Sequence, residues 1–307
     1  MLIKELLPKY LEEMKIRNLS PVTIRVTRYS LLEAIRFLAE EKVYHLEELN
    51  RDVLEEYRHD LAFRLTAQGK PLSVRSQEKH LSCAKGFSRF LYEKDYLSSD
   101  PGKMLKSPKQ PKRLPRVILD SSELKKLLAA PDMRTNQGQR DRIILEILYD
   151  TGIRASEMAN LKVHDLDLKG GYGQVLGGKG AKDRVVPISK RVCSLIRDYL
   201  LMVRPHYLGS NRDEGYLVLN RYGTRMTTNA VWFTVKRCAK AAGIRKNIST
   251  HTFRHSCATH MLKNGAPVRH IQELLGHESL ETTQVYTHVT INDLKAIHAK
   301  YHPGEMR

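Results

Sequence analysis

The sequence offers nothing that would tie its cysteines together. Cys83, Cys193, Cys238 and Cys257 are scattered, without CxxC or any other metal-ligand spacing. That usage fits reduced thiols in a cytosol and excludes a disulfide framework. No GxxxxGK[ST] loop is present, so ATP-driven chemistry has no seat. Long apolar runs, a signal sequence and a lipidation motif are also missing, which argues for a soluble, cytoplasmic chain with no membrane partner. Carboxylates are scarce where the chain is otherwise densest in chemistry: between positions 251 and 288 the acids are Glu273, Glu278 and Glu281. A metal-dependent nuclease holds its ions with clustered carboxylates, and no such cluster stands here. The expectation is a protein without cofactor and without metal.

What the sequence has in excess is positive charge. Its 307 residues carry 52 Lys+Arg against 34 Asp+Glu, a formal balance of +18. That length suits two domains, and that charge suits a polyanionic partner, most simply nucleic acid. A soluble basic protein without such a partner is the plainer alternative, and an anionic membrane surface the weaker one.

The expected fold is mainly α with a small antiparallel β-sheet. Residues 1–102 read as a small helical domain with a basic surface. Ser20-Pro21 starts a helix, Ser as cap and Pro in the first turn. Ile24, Leu31, Ile35 and Leu38 follow at helical spacing, with Arg25, Arg28 and Arg36 on other faces. Further helical runs cover about 51–66 and 73–95. Residues 103–118 read as an extended, semi-rigid linker, because Lys103, Lys106, Lys109, Lys112, Arg113 and Arg116 alternate with prolines and no acid intervenes. These cations are candidates for contact with a phosphate backbone, although a solvated tether would look the same.

Residues 119–307 read as a mixed α+β domain. Ser121 or Ser122 caps a helix through Ala130, and Asp141–Thr151 is an apolar helix ended by Gly152. Three strands are expected near 163–166, 174–176 and 184–186, with GGKGAKD as the turn between the last two. Helices resume at about 190–203, 228–242, 250–263, 267–275 and 291–301.

The chemistry concentrates in HTFRHSCATHMLKNGAPVRHIQELLGHESLETTQVYTH, residues 251–288. It places His251, Arg254, His277 and Tyr286 within a window short enough to form one site, and Arg154 and Lys179 add cations from upstream. Guanidinium forks bind phosphate oxygens bidentately and stay charged, so they can replace a metal in phosphoryl transfer. His251 and Arg254, three apart on a helix, are expected to project from one face. A tyrosine needs help to ionise at neutral pH, and dense cations supply it. Rival readings of the window remain: a zinc site built on the helical spacing of His251, His255 and His260, a packed core role for His255, and a helix-turn-helix over 265–288.

TGIRASE, GGKGAKDR, HTFRH, LLGH and TTQVYTH, in this order, resemble the successive motifs of the tyrosine site-specific recombinases, the phage-integrase and Xer group. The resemblance spans about 120 to the C-terminus, and the helical region before it is similar in kind to a core-binding domain. It implies an N-terminal core-binding domain, a C-terminal tyrosine-recombinase catalytic domain and strand exchange between paired, partly palindromic sites in double-stranded DNA. Arg154 and Arg254 would clamp the scissile phosphate, and Lys179 would protonate the leaving 5′ oxygen. His251 would serve as acid/base partner to the tyrosine, His277 would donate to the phosphate, and Tyr286 would attack to give a 3′-phosphotyrosyl link. Lys182 is the alternative to Lys179, and Glu157 and His255 resemble positions that support the arginine and the helix. The resemblance further implies a tetramer on DNA, with room for an accessory or partner recombinase, linked by a C-terminal helix docked into the neighbouring protomer. That helix packing on its own domain is the simpler alternative. A topoisomerase-like nicking and closing enzyme and a non-catalytic DNA-binding protein of the same fold are the competing functions. An added arm-binding domain is not expected, and chromosome-dimer resolution and mobile-element integration would use the same residues.

Overall fold

The computed structural model describes residues 1–109, 117–176, 183–276 and 291–304. The chain divides into two compact units, Met1–Arg113 and Leu114–Arg307. Among the described residues no helix is long and apolar enough to cross a membrane.

The first unit is built on helices α1 (Ile3–Ile16), α2 (Pro21–Glu40), α3 (Arg51–Phe63) and α4 (Val74–Glu93). Short polar side chains set their starts: Ser20 accepts from the Thr23 N–H, Asn50 from Val53 and Ser73 from Ser76. Each helix then turns one apolar stripe inward. Leu6, Leu31, Tyr57, Leu61, Leu81 and Leu91 are each no more than 1% exposed, and each such side chain stabilises the fold by roughly 1.5–3 kcal/mol. Arg25, Arg28 and Arg36 stay on the exposed face of α2.

The stretch expected to be an extended tether begins as part of this unit. Pro101 and Gly102 are buried, and Leu105 joins the core at 3% exposure. Gly102 N–H donates to Ser88 Oγ at 2.9 Å, and Lys85 Nζ donates to the Leu105 carbonyl at 2.8 Å. The apolar Leu105 side chain, set among lysines, pulls the chain back onto α4. Lys103, Lys106 and Lys109 are exposed, and Lys112, Arg113 and Arg116 lie outside the described residues.

The second unit is arranged around a helix buried on nearly all sides. It contains α5 (Ser121–Ala129), α6 (Asn136–Thr151), α7 (Ala155–Asn160), α8 (Lys190–Met202), α9 (Arg204–Leu208), α10 (Thr228–Ala241), α11 (Thr250–Lys263), α12 (Val268–Leu275) and α13 (Ile291–Tyr301). α6 is the central one. Every residue from Ile143 to Thr151 is buried, with α5, α7, α8, α10 and α11 packed around it. It begins five residues before the apolar run, where Thr135 Oγ1 accepts from Gly138 N–H at 2.9 Å. Gly138 is required there, since a Cβ would lie 1.9 Å from the Asp132 carbonyl oxygen. α5 is capped by Asp120 and not by Ser121 or Ser122. Asp120 Oδ1 accepts from Glu123 N–H at 2.8 Å while Glu123 Oε2 accepts from Asp120 N–H at 2.9 Å.

The sheet is antiparallel in the order β1 (Leu166–Asp167), β2 (Tyr172–Val175), β3 (Arg184–Pro187), with Gly173 opposite Val186. The expected first strand is shorter than the sequence suggested. Asp165 Oδ2 accepts from Lys162 N–H at 2.8 Å, which closes Val163–Asp165 into a single 3₁₀ turn and delays pairing until Leu166. The GGKGAKD turn spans 177–183, of which 177–182 lie outside the described residues.

Within the chain α13 packs against β3 and α11. Ile297 lies against the core, Asn264 Nδ2 donates to the Tyr301 carbonyl at 2.7 Å, and His298 and His302 are 2% and 0% exposed. Buried imidazoles at the end of the helix hold it to the chain that carries it.

Candidate active site

The site forms where the C-terminal ends of α6 and α12 meet the start of α7. α6 ends at Gly152, whose φ of +62° makes the left-handed turn that a Cβ would disfavour. A Cβ at this glycine would also lie 2.6 Å from Leu275 Cδ2, so α12 can approach only because position 152 lacks one. Two residues later Arg154 stands as the N-cap of α7. Its backbone N–H donates to Glu157 Oε2 and its Nη1 to Glu157 Oε1, both at 2.8 Å.

Glu157 is shared. Arg184, the first residue of β3, donates from Nη1 to Oε1 at 2.9 Å and from Nη2 to Oε2 at 2.8 Å. The carboxylate is 5% exposed and faces two guanidinium groups. Burial alone would raise its pKa, but the hydrogen bonds from Arg184 and Arg154 outweigh that and hold it at about 2.

Arg254, on α11, is 3% exposed and points into the same region. Its Nη1 donates to the Gly152 carbonyl at 2.9 Å, and its Nη2 to the carbonyl of Leu275. Burial, followed by the positive charge of Arg154 and Arg184, lowers its pKa to about 10, which leaves it protonated at neutral pH.

The end of α12 organises all three arginines. Its successive carbonyls at Leu274, Leu275 and Gly276 accept from Arg184 Nε, Arg254 Nη2 and Arg154 Nη2 respectively. A helix C-terminus leaves such carbonyls without intrahelical donors and carries partial negative charge, so it is a natural anchor for cations. Three guanidiniums against one carboxylate leave a local excess of two positive charges. Arg184 commits Nε and both Nη atoms inward. Arg154 and Arg254 each keep N–H donors beyond the bonds described, since a guanidinium carries five. The arrangement can therefore bind an anion with two forks while the third holds the frame. It is poorly suited to a cation, because both oxygens of Glu157 already accept from arginines.

The remaining expected residues divide cleanly. His251 is exposed in the first turn of α11, so it does not share the burial of Arg254, and His255 is half-buried. His260 is buried with its Nδ1 3.0 Å from Tyr149 Oη, away from a shared ligand set with His251. Cys257 is fully buried and its thiol is pushed up to about 12, which keeps it protonated. Lys179, Lys182, His277 and Tyr286 lie outside the described residues. Arg184 is the functional residue that sequence reasoning passed over. Its signal was present as the last residue of GGKGAKDR, but nothing in the spacing said that it would reach Glu157.

Comparison with known proteins bears on the family and the fold. Residues 118–293 match the model of the phage integrase family. Tyrosine recombinase XerC 2 of Ralstonia nicotianae is 39% identical over 97% of this chain and 85% of its own length. Tyrosine recombinase XerD of Staphylococcus epidermidis (strain RP62A) is 35% identical over 97% of this chain and 98% of its own. Among solved structures, the XerH site-specific recombinase bound to its difH substrate in a pre-cleavage complex superposes with a TM-score of 0.66. It is 23% identical, covering 98% of this chain and 82% of that one. This last likeness concerns the fold.

Proposed function

The chain belongs to the phage integrase family, and from that premise we propose that it is a site-specific DNA recombinase working through a 3′-phosphotyrosyl intermediate. The observation that carries this reading is the group of Arg154, Arg184 and Arg254 gathered on the end of α12 around Glu157. Arg154 and Arg254 take the non-bridging oxygens of the scissile phosphate and stabilise the charge that develops on them. Tyr286 Oη attacks phosphorus, the bond to the 5′ oxygen breaks, and Lys179 supplies the proton to that oxygen. His251 receives the tyrosine proton and His277 donates to the phosphate. The covalent link conserves the energy of the phosphodiester, so rejoining by the reverse attack needs no ATP.

Residues 1–102 are the core-binding domain, residues 119–307 the catalytic domain, and the cations between them track the DNA backbone. The substrate is double-stranded DNA with paired, partly palindromic sites, bound by a tetramer in the cytoplasm, with a possible second recombinase or accessory protein. A suicide substrate nicked beside the cleavage position tests this. A covalent protein–DNA adduct that disappears in Tyr286→Phe is the expected result. No adduct on any site that the protein protects would refute the enzymatic reading, and adducts without exchange between paired sites would favour a nicking and closing enzyme.

A further inference from the structure

A second group of functional side chains lies at the other face of the α6 terminus. Asp150, His298 and His302 are 0%, 2% and 0% exposed, although 148 residues separate the aspartate from the first histidine. One donor atom from each lies within 4.8 Å of the others. Asp150 Oδ2 accepts from Ser189 N–H at 2.8 Å, but Oδ1 is buried with no hydrogen-bond partner. That oxygen faces His302 Nδ1 at 3.5 Å and His298 Nε2 at 4.0 Å. His302 Nδ1 accepts from Gly304 N–H at 3.1 Å, which assigns the ring proton to Nε2, toward the Tyr149 carbonyl at 3.4 Å. Oδ1 is therefore left without a donor among imidazoles in a dry interior, where a lone carboxylate is costly.

A residue without a side chain stands against both Oδ1 and His302 Nδ1. A Cβ on Gly304 would stand 3.0 Å from His302 Nδ1 and 3.3 Å from Asp150 Oδ1. We propose that Asp150, His298 and His302 form a binding site for a first-row divalent cation of the zinc type. Two neutral imidazoles and a carboxylate are a donor set such ions accept, with a water in the fourth position. Bonds of about 2.0–2.2 Å in a tetrahedron put donor atoms roughly 3.3 Å apart, so the cluster needs only a modest contraction. His298 Nε2 now donates to the Asp150 main-chain carbonyl at 2.8 Å and His302 Nδ1 accepts from Gly304 N–H at 3.1 Å, and ligation replaces both bonds. The His302 Nε2–H directed at Tyr149 orients the ring from outside, as second partners of metal-bound histidines do. Cys257, close enough to feel the Asp150 charge, stays a thiol and is no competitor.

The ion would fasten α13 and the turn after it to the end of α6, four residues before Arg154, and would take no part in strand cleavage. The site was invisible in the sequence because its ligands come from opposite ends of the second unit.

Metal-free full-length protein dialysed against Zn²⁺ or Co²⁺ is the test. One bound equivalent is expected, with cobalt d–d bands of a low-coordinate oxygen and nitrogen site and no thiolate charge-transfer band. Zinc at a hundredfold excess over its Kd should raise Tm by roughly 5–11 °C. His302→Gln removes a ligand, and Gly304→Val keeps all three ligands while filling the space, so both should lose the bound equivalent. Circular dichroism checks that each variant is folded, and the cobalt spectrum of the unaltered protein decides alone if they are not. No bound equivalent and an unchanged Tm would overturn the proposal in favour of a proton shared between Asp150 and His302. Undiminished binding in both folded variants would overturn it equally. None of these readouts involves DNA, so failure here leaves the recombinase reading untouched.

Discussion

Glu157→Gln isolates the electrostatic frame of the site, and its cost can be worked from the structure. The carboxyl sits at about 2 in the folded chain, against an ordinary value of 4.5. At about 1.4 kcal/mol for each tenfold change in the proton equilibrium, the folded environment favours ionised Glu157 by ~3 kcal/mol at neutral pH. The glutamine keeps the size of the side chain but offers one acceptor oxygen, and it leaves Arg154, Arg184 and Arg254 without a counter-charge. We expect a loss of ~3 kcal/mol, or roughly 6–12 °C in the Tm of the second unit. The pH dependence carries the argument. A depressed carboxyl pKa contributes stability that is fully present above 4.5 and is lost as pH falls through about 2. The difference between the two proteins should therefore be constant from pH 7 to pH 5 and shrink steadily below that. Urea denaturation at a series of pH values, followed by fluorescence and far-UV circular dichroism, measures it. A difference below ~1 kcal/mol, or one that does not change between pH 6 and pH 3, would refute the assignment of Glu157 as the charge that gathers the arginines.

Arg154→Ala or Arg254→Ala should abolish adduct formation on a suicide substrate while gel-shift affinity falls only several-fold, because many other cations hold the backbone; equal loss of both would make these arginines structural. Arg184→Lys should lower the cleavage rate by ~10²-fold with little change in DNA affinity, since an ammonium cannot make the bidentate contact to Glu157; a rate equal to the unaltered protein would remove Arg184 from the frame. Strand cleavage measured below the melting temperature should be unaffected by strong chelators, and a requirement for Mg²⁺ in the cleavage step would contradict a guanidinium-based mechanism. Asp120→Ala should cost ~1 kcal/mol in thermal unfolding through loss of the reciprocal cap on α5, whereas Ser121→Ala should cost almost nothing.

Local signals carried most of the helices into view. Ser20-Pro21, the apolar spacing of Leu31 and Leu38, and Gly152 after α6 each report on a few neighbouring residues, and the structure places helix ends where they stand. The signals failed where a side chain answered to something local but less obvious. Asp120 outcompetes the two serines for the α5 cap because its partner Glu123 completes a reciprocal pair. Asp165 folds back on Lys162 and shortens the first strand. Short helices such as α7 and α9 carry too few apolar positions to show a period. Packing of α13 on its own domain was one of two open readings, and the contacts that make it were not legible, because His298 and His302 meet Asp150 from a distant part of the second unit. The site shows the same division. Motif order pointed to Arg154 and Arg254, and the bonds that hold them come from carbonyls at 274–276 that no residue type announces.

α6 also corrects the impression left by a formal charge of +18, that acids matter little here. Its turns read as apolar, yet Asp141, Glu146 and Asp150 are 3%, 0% and 0% exposed. Glu146 accepts from Arg142 Nε at 2.7 Å and from Arg191 Nη1 at 2.8 Å, and Asp141 is paired with Arg237. Glu146 is thus shared by two arginines, and Asp141 has Arg140 Nη2 at 3.5 Å as well as Arg237, so each of these buried carboxylates is compensated from more than one side. Asp150 is the member of the series without an arginine: its facing groups are imidazoles, and its Oδ1 has no donor. With Glu157 added, the acids of this region fall into a rule. Arginine compensates a carboxylate wherever the helix must be fixed to its neighbours or to the site. Asp150 instead faces histidines, where the C-terminal helix attaches, and stands apart from the arginine frame around Glu157.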